Sequence, residues 1–193
     1  AGGGGQKHEG QMAVASYNIQ DGRNGGLILV ARALDHATVD VAVVQEVKMK
    51  NPKFASRTGF GCTIHTTAAD SDHCGGISLL VRESNSFGIE EVKVWGENVI
   101  SFELQVGEGE KDRWHCVGAY FPPWDKEGKA QRLLTTAIRA QPEGARLMVL
   151  GDLNADLDSP RGRQEDVLAE EVSEHGLVCA TRHFISRRTR HVR

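Results

Sequence analysis

The chain has no apolar run approaching the roughly 18 residues that cross a membrane as a helix, so no membrane partner is expected. Its first residues, Ala1-Gly2-Gly3-Gly4-Gly5, lack the apolar segment of a secretory signal. Residues 1–11 read instead as a flexible glycine-rich leader. Nor is there a surplus of positive charge: 23 Lys and Arg against 26 Asp and Glu leave a net −3, which removes composition as a signal for nucleic acid. Four cysteines, Cys62, Cys74, Cys116 and Cys179, form no CxxC pair and are expected to be reduced and buried. The grouping Cys62, His65, His73 and Cys74 matches no common zinc-finger spacing. No internal repeat is visible. After Glu174 there is no acidic residue, while Arg182, Arg187, Arg188, Arg190 and Arg193 crowd the end. Such a run reads first as a solvated tail, and secondly as a surface that could touch phosphate.

What is present suits one globular domain. With 193 residues, 39% hydrophobic and 25% charged, the chain can bury about 70% of its extended surface. Met12 to Asn18 reads as a strand, and Leu27, Val30, Ala31 and Leu34 recur at helical spacing over Leu27 to Thr38. "VDVAVVQE" is a second buried strand, so the order suggests a strand–helix–strand crossover. "GGISLLVR", "FGIEEVKVW", "NVISFELQV" and "RWHCVGAYF" then follow as successive strands. In the third of these, Ile100, Phe102, Leu104 and Val106 alternate with Ser101, Glu103 and Gln105, as in a half-buried strand. Lys126 to Ala140 is expected to be helical with Leu133, Leu134, Ala137 and Ile138 inward, residues 147–150 a strand, and Gln164 to His175 a helix. This pattern favours two sheets flanked by helices over one parallel sheet.

Polar side chains collect where these apolar strands stop. "LMVLGDLNADLD" carries four apolar residues to Gly151, expected to let the backbone leave the sheet, and then to Asp152, Asn154, Asp156 and Asp158. Asp and Asn also favour turns, which remains the plainer reading for Asp156 and Asp158. Strand one ends on Asn18, with Asp21 shortly after; strand two ends on Gln45 and Glu46; a later one ends on Tyr120 before two prolines. A carboxylate at the end of a buried strand is costly unless something pairs with it. For Glu46 a hard cation such as Mg²⁺, content with one or two carboxylates plus water and phosphate, would serve. The alternative is an ordinary ion pair with Lys48 or Lys50.

Five segments in order, "SYNI", "VVQE", "GGISLLV", "VGAYFPP" and "GDLNADL", span Ser16 to Leu157. In these the chain resembles the endonuclease/exonuclease/phosphatase superfamily, which includes deoxyribonuclease I and the abasic-site endonucleases. "AYFPP" with "GDLNA" is most similar to the endonuclease domain of LINE-type (non-LTR) retrotransposons. The resemblance implies a four-layer α/β/β/α sandwich, deoxyribonuclease I-like, with the site at one end of the paired sheets. It implies a DNA-nicking phosphodiester hydrolase using Mg²⁺ or Mn²⁺, with DNA as partner and an intracellular, nuclear setting. Glu46 then matches the metal-binding glutamate, Asn18 the asparagine of the first strand, and Tyr120 the tyrosine that contacts the scissile phosphate. Asp152 and Asn154 match the pair that orients the attacking water and binds phosphate. Asp21 fits poorly, because relatives with an acid there carry it one residue closer to the asparagine.

The family closes on a further aspartate and a Ser-Asp-His segment, whereas this chain closes on "TRHFISRRTRHVR". Neither His183 nor His191 follows Ser-Asp, and Asp166 is the last aspartate. Residues 12–193 are thus expected to be an incomplete domain lacking its last strands, with little nicking of its own. The competing expectation is a catalytically inactive remnant that at most binds nucleic acid. Phosphatase action on inositol phosphates or lipids shares the site chemistry, but no second basic phosphate-gripping motif accompanies it.

Overall fold

Strands β1 (Val14–Asn18) and β2 (Val41–Gln45) lie side by side and parallel, joined by helix α1 (Gly26–His36). The computed structural model describes residues 12–50, 55–57, 61–69, 75–83, 87–109, 112–123, 125, 127–157 and 163–180. The chain divides into two compact units, residues 1–154 and 155–193. Among the described residues, no helix is long and apolar enough to cross a membrane.

The first unit holds two sheets. One has the order β1-β2-β5-β4-β3, adding β3 (Ala55–Arg57), β4 (Cys62–Thr66) and β5 (Ile77–Arg82). The other has the order β6-β7-β8-β9, made of β6 (Gly88–Gly96), β7 (Val99–Gln105), β8 (Arg113–Tyr120) and β9 (Arg146–Asp152). Helix α2 (Lys129–Arg139) joins β8 to β9, which pair in parallel, so each sheet contains one crossover unit. Parallel neighbours need such a crossover because a tight hairpin cannot join them.

Strand alternation builds the layers. Val41 and Val43 of β2 with Ile77 and Leu79 of β5 face Ile100, Phe102 and Leu104 of β7 and Cys116 of β8, and these form the core between the sheets. The opposite faces of β2 and β5, Ala42, Val44 and Leu80, pack with Leu27 and Ala31 of α1, and Val30 and Leu34 join them. The four positions that recur at helical spacing thus share the face of α1 turned to the sheet. On the far side of the second sheet, His115 of β8 meets the Ala137 carbonyl of α2 through Nε2 at 2.8 Å, and Glu103 Oε1 through Nδ1 at 2.6 Å. The layers therefore run α1, sheet, sheet, α2, the expected α/β/β/α sandwich. Burying each large apolar side chain in such a core contributes about 1.5–3 kcal/mol. Gly118 lets the two sheets pack closely at this point, since a Cβ there would stand 2.8 Å from Val43 Cγ1 of the other sheet and 3.0 Å from Ile100 Cγ2 of its neighbour β7.

Three details differ from the expectations. Strands β3 and β4 are additional; Cys62, Ile64 and Thr66 alternate as buried residues, a period-two signal only five residues long. Helix α2 begins at Lys129, because Gly128 is left-handed (φ 64°) and the Asp125 carboxylate accepts the Lys129 and Ala130 amides at 3.1 and 2.8 Å. Strand β9 continues through Gly151 to Asp152, in register with Ala119 and Tyr120, so Gly151 does not end the strand. In the second unit, helix α3 (Arg163–Glu174) falls where a helix was expected. Cys62, Cys116 and Cys179 are in no disulfide, the first two buried, and burial pushes the Cys116 thiol up to about 12. Cys62 and His65 occupy opposite faces of β4, which separates that pair of the Cys/His grouping; His73 and Cys74 lie outside the described residues.

Candidate active site

Both parallel pairs, β1–β2 and β8–β9, end on the residues expected at the site: Asn18, Gln45 and then Glu46, Tyr120 and Asp152. Register explains the coincidence. Asn18 pairs with Gln45 and Tyr120 with Asp152, so each pair of strands stops together.

The centre of the cluster is the Asn18 amide. Its Nδ2 donates to Glu46 Oε1 at 2.8 Å and to Asp152 Oδ2 at 3.0 Å. An amide nitrogen has two hydrogens, so Asn18 spends both in holding two carboxylates 106 positions apart in sequence. Asn18 Oδ1 accepts the Gln20 amide at 3.0 Å, which fixes the orientation of the side chain. Gln45, fully buried beneath the site, donates to Ser16 Oγ at 3.0 Å and to the Val43 carbonyl at 2.9 Å, tying β1 to β2.

Glu46 gathers three donors. Besides Asn18, it receives the Tyr120 hydroxyl, and Lys48 Nζ lies 3.5 Å from Oε2. Burial pushes its carboxyl up, but the Asn18 and Tyr120 hydrogen bonds and the Lys48 charge outweigh this and hold it below the ordinary glutamate value. Glu46 is therefore an ionised oxygen donor at neutral pH. The ion pair expected as an alternative for Glu46 is present, formed with Lys48, yet it sits inside the cluster rather than replacing it.

Tyr120 is 1% exposed. Its hydroxyl acts on Glu46 in this arrangement, so it positions that carboxylate. Asn154 is exposed, in a left-handed conformation (φ 43°), and its Nδ2 donates to the Phe121 carbonyl at 2.8 Å. That bond ties the loop after β9 to the end of β8, while the Asn154 amide lies 3.3 Å from Asp152 Oδ1. Asp21 stands apart: Arg23 claims both of its oxygens at 2.8–3.2 Å and holds its pKa down to about 2. Asp156 belongs to the second unit, where its amide donates to Glu165 Oε1 at 3.1 Å; Asp158 and the five C-terminal arginines lie outside the described residues.

A divalent cation fits the donor set. Two carboxylates converge on one bracket, one of them ionised by its surroundings, and hard cations such as Mg²⁺ take one or two carboxylate ligands of this kind. Glu46 would hold it, with Asp152 alongside. Sequence reasoning missed a second grouping, Glu171, Glu174 and His175, at the end of α3, whose ligand atoms lie within 4.8 Å of one another. The signal was there in the i, i+3, i+4 spacing, which puts side chains on one helical face. His175 Nε2 and Glu171 Oε2 stand 3.5 Å apart within it.

The sequence profile of the Endonuclease/Exonuclease/phosphatase family matches residues 15–167. The structure is similar to the endonuclease domain of TRAS1, a telomere-specific non-LTR retrotransposon, with a TM-score of 0.63 at 16% identity over 86% of this chain and 72% of that one. It is equally similar to an AP endonuclease from Archaeoglobus fulgidus, with a TM-score of 0.63 at 15% identity over 92% and 76%. A 3'-5' exonuclease from Neisseria meningitidis gives 0.52 at 19% identity, over 75% of this chain and 58% of that one. No curated protein matches by sequence. The structural likenesses establish a shared fold.

Proposed function

Because the chain belongs to the endonuclease/exonuclease/phosphatase family, we propose that its strand-end cluster hydrolyses phosphodiesters with a divalent cation, Mg²⁺ or Mn²⁺, and that its substrate is DNA. The observation that carries this reading is the Asn18 bracket, which sets Glu46 and Asp152 side by side from two different sheets. A phosphodiester is already an anion and gains charge in the transition state. Two adjacent carboxylates would repel it unless a cation were shared between them. A cation bound there would supply that neutralisation and polarise the phosphate.

The chain's own groups divide the remaining work. Asp152 accepts the proton of the attacking water, its carboxylate held by Asn18 on one oxygen and approached by the Asn154 amide on the other. Glu46 would hold the cation. Tyr120 and Asn18 keep Glu46 ionised and oriented, and Asn154 fixes the loop that follows Asp152. The finer assignment, nicking of the type performed by non-LTR retrotransposon endonucleases, is supported by the segments "AYFPP" and "GDLNA". A nuclear site of action goes with that assignment.

Conversion of supercoiled plasmid to the open circle tests the proposal. Nicking that needs Mg²⁺ and is stopped by EDTA is the expected result. Release of phosphate from a 3'-phosphorylated oligonucleotide without nicking would move the protein to the phosphatase side of the family. Binding of metal and DNA with no turnover of either substrate would instead match the inactive remnant.

A further inference from the structure

The three residues Glu46, Val47 and Lys48 form a hook. Glu46 (φ 57°) and Lys48 (φ 53°) are both left-handed without being glycine, a conformation that costs free energy and persists only where surroundings enforce it. Here the enforcement is visible. Val47 between them is fully buried against the α1 core. Its amide donates to the Gly76 carbonyl at 3.2 Å, the Lys48 amide to the Gly75 carbonyl at 3.0 Å, and the Gly22 amide to the Val47 carbonyl at 3.0 Å. Pinned on both sides, the hook turns the flanking side chains together, 3.5 Å apart, each more than four-fifths buried.

A lysine held this way forgoes much of its side-chain freedom and hydration, which an ordinary surface pair repays poorly. Its location gives it another use. Lys48 neutralises the oxygen of Glu46 that Asn18 leaves open, the same carboxylate to which the proposed cation would bind. Two positive charges on one oxygen repel each other, so a cation bound there disfavours the Lys48 pairing. The flexible four-carbon stem lets the ammonium move. Asp21, a carboxylate that also feels its charge, is already engaged by Arg23.

We propose that Lys48 is a substrate-phosphate ligand held in reserve by Glu46: it pairs with that carboxylate in the metal-free protein, and with a non-bridging phosphate oxygen of the DNA once a divalent cation occupies Glu46. The proposal rests on the reading of the cluster as a phosphodiester site. It also makes metal and DNA binding mutually supportive, since the cation frees the group that grips the strand.

Fluorescence anisotropy of a labelled DNA duplex, titrated over a series of salt concentrations in EDTA and in Ca²⁺, tests this in the unmodified protein, Lys48→Met, Lys48→Arg and Glu46→Gln. In Ca²⁺, Lys48→Met should weaken binding about tenfold, as for one charge-assisted hydrogen bond. Its log–log salt slope should be shallower by about one, the signature of one lost phosphate contact. In EDTA, Lys48→Met should bind as the unmodified protein does, while Lys48→Arg should keep the salt slope in both conditions. Equal weakening in Ca²⁺ and EDTA would show a lysine that is never held back. No weakening in either would reduce it to a structural counter-ion for Glu46. Either result overturns the proposal while leaving the site reading intact. If Ca²⁺ strengthens DNA binding of the unmodified protein and of Glu46→Gln alike, or of neither, the site reading itself fails and the proposal with it.

Discussion

Replacing Asp152 by asparagine is expected to slow phosphodiester hydrolysis by at least about 10²-fold, the usual loss when a general base is removed. The side chain keeps its shape, and its carbonyl oxygen can still accept the Asn18 bond at 3.0 Å. What is lost structurally is the longer approach of the Asn154 amide, 3.3 Å, where an amide group would set donor against donor. Folding and DNA affinity should therefore change little, and the effect should fall on turnover. Plasmid nicking measured beside duplex binding separates the two. Asp35→Asn, on the exposed end of α1, is the control and should be nearly silent. Near-normal turnover by Asp152→Asn would return Asp152 to the role of a strand-end residue without chemistry.

A still larger structural effect is expected at the preceding residue. A Cβ on Gly151 would lie 1.8 Å from the carbonyl oxygen of Ala119, its register partner in β8. That atom belongs to the backbone of a central strand, so no side chain can swing aside. Gly151→Ala must either push β9 from β8 or distort the ladder at the point that delivers Asp152. We expect a loss of about 3 kcal/mol, the scale of severe overpacking. In a chain of this size that corresponds to a fall of roughly 10 °C in Tm. Nicking should fall with it even below the new Tm, because Asp152 leaves the Asn18 bracket. Gly88→Ala, whose Cβ would meet nothing within 4 Å, should shift Tm by little. Calorimetric melting of the two variants decides the matter; an unchanged Tm for Gly151→Ala would mean that the tight β8–β9 register does not exist in solution.

Gly151 also shows where sequence reasoning reached its limit. Its neighbours "VLGD" point to a strand carrying a carboxylate to its end, and that is what β9 does. The glycine itself, read locally, suggests a break; its actual cause is a carbonyl 32 positions earlier in the chain, which no local pattern discloses. The same division runs through the site. Glu46 and Asp152 were legible because each is a charged residue at the end of an apolar run, a placement with a solvation cost. Asn18 was legible as a position but not as a bracket, because its partners stand just after β2 and at the end of β9. For Tyr120, burial decides the role: its hydroxyl is turned to Glu46, a contact that strand periodicity cannot specify. Strands β3 and β4 escaped notice because three and five residues give too short an alternation. The inward faces of α1 and α2 did not, because a 3.6-residue period repeats often enough over eleven residues to be seen.

Among the described residues, two acidic groupings could hold a cation, the Asn18-bracketed pair of Glu46 and Asp152 and the trio of Glu171, Glu174 and His175 at the end of α3. The central claim is that metal chemistry belongs to the first. Calorimetric titration with Mn²⁺ of the unmodified protein, Glu46→Gln and Glu171→Gln compares them directly. Both substitutions keep side-chain shape and remove one charge. A sharp loss of Mn²⁺ affinity in Glu46→Gln, with Glu171→Gln binding as the unmodified protein does, is the predicted result. Mn²⁺ binding that survives Glu46→Gln unchanged and disappears in Glu171→Gln would contradict the account.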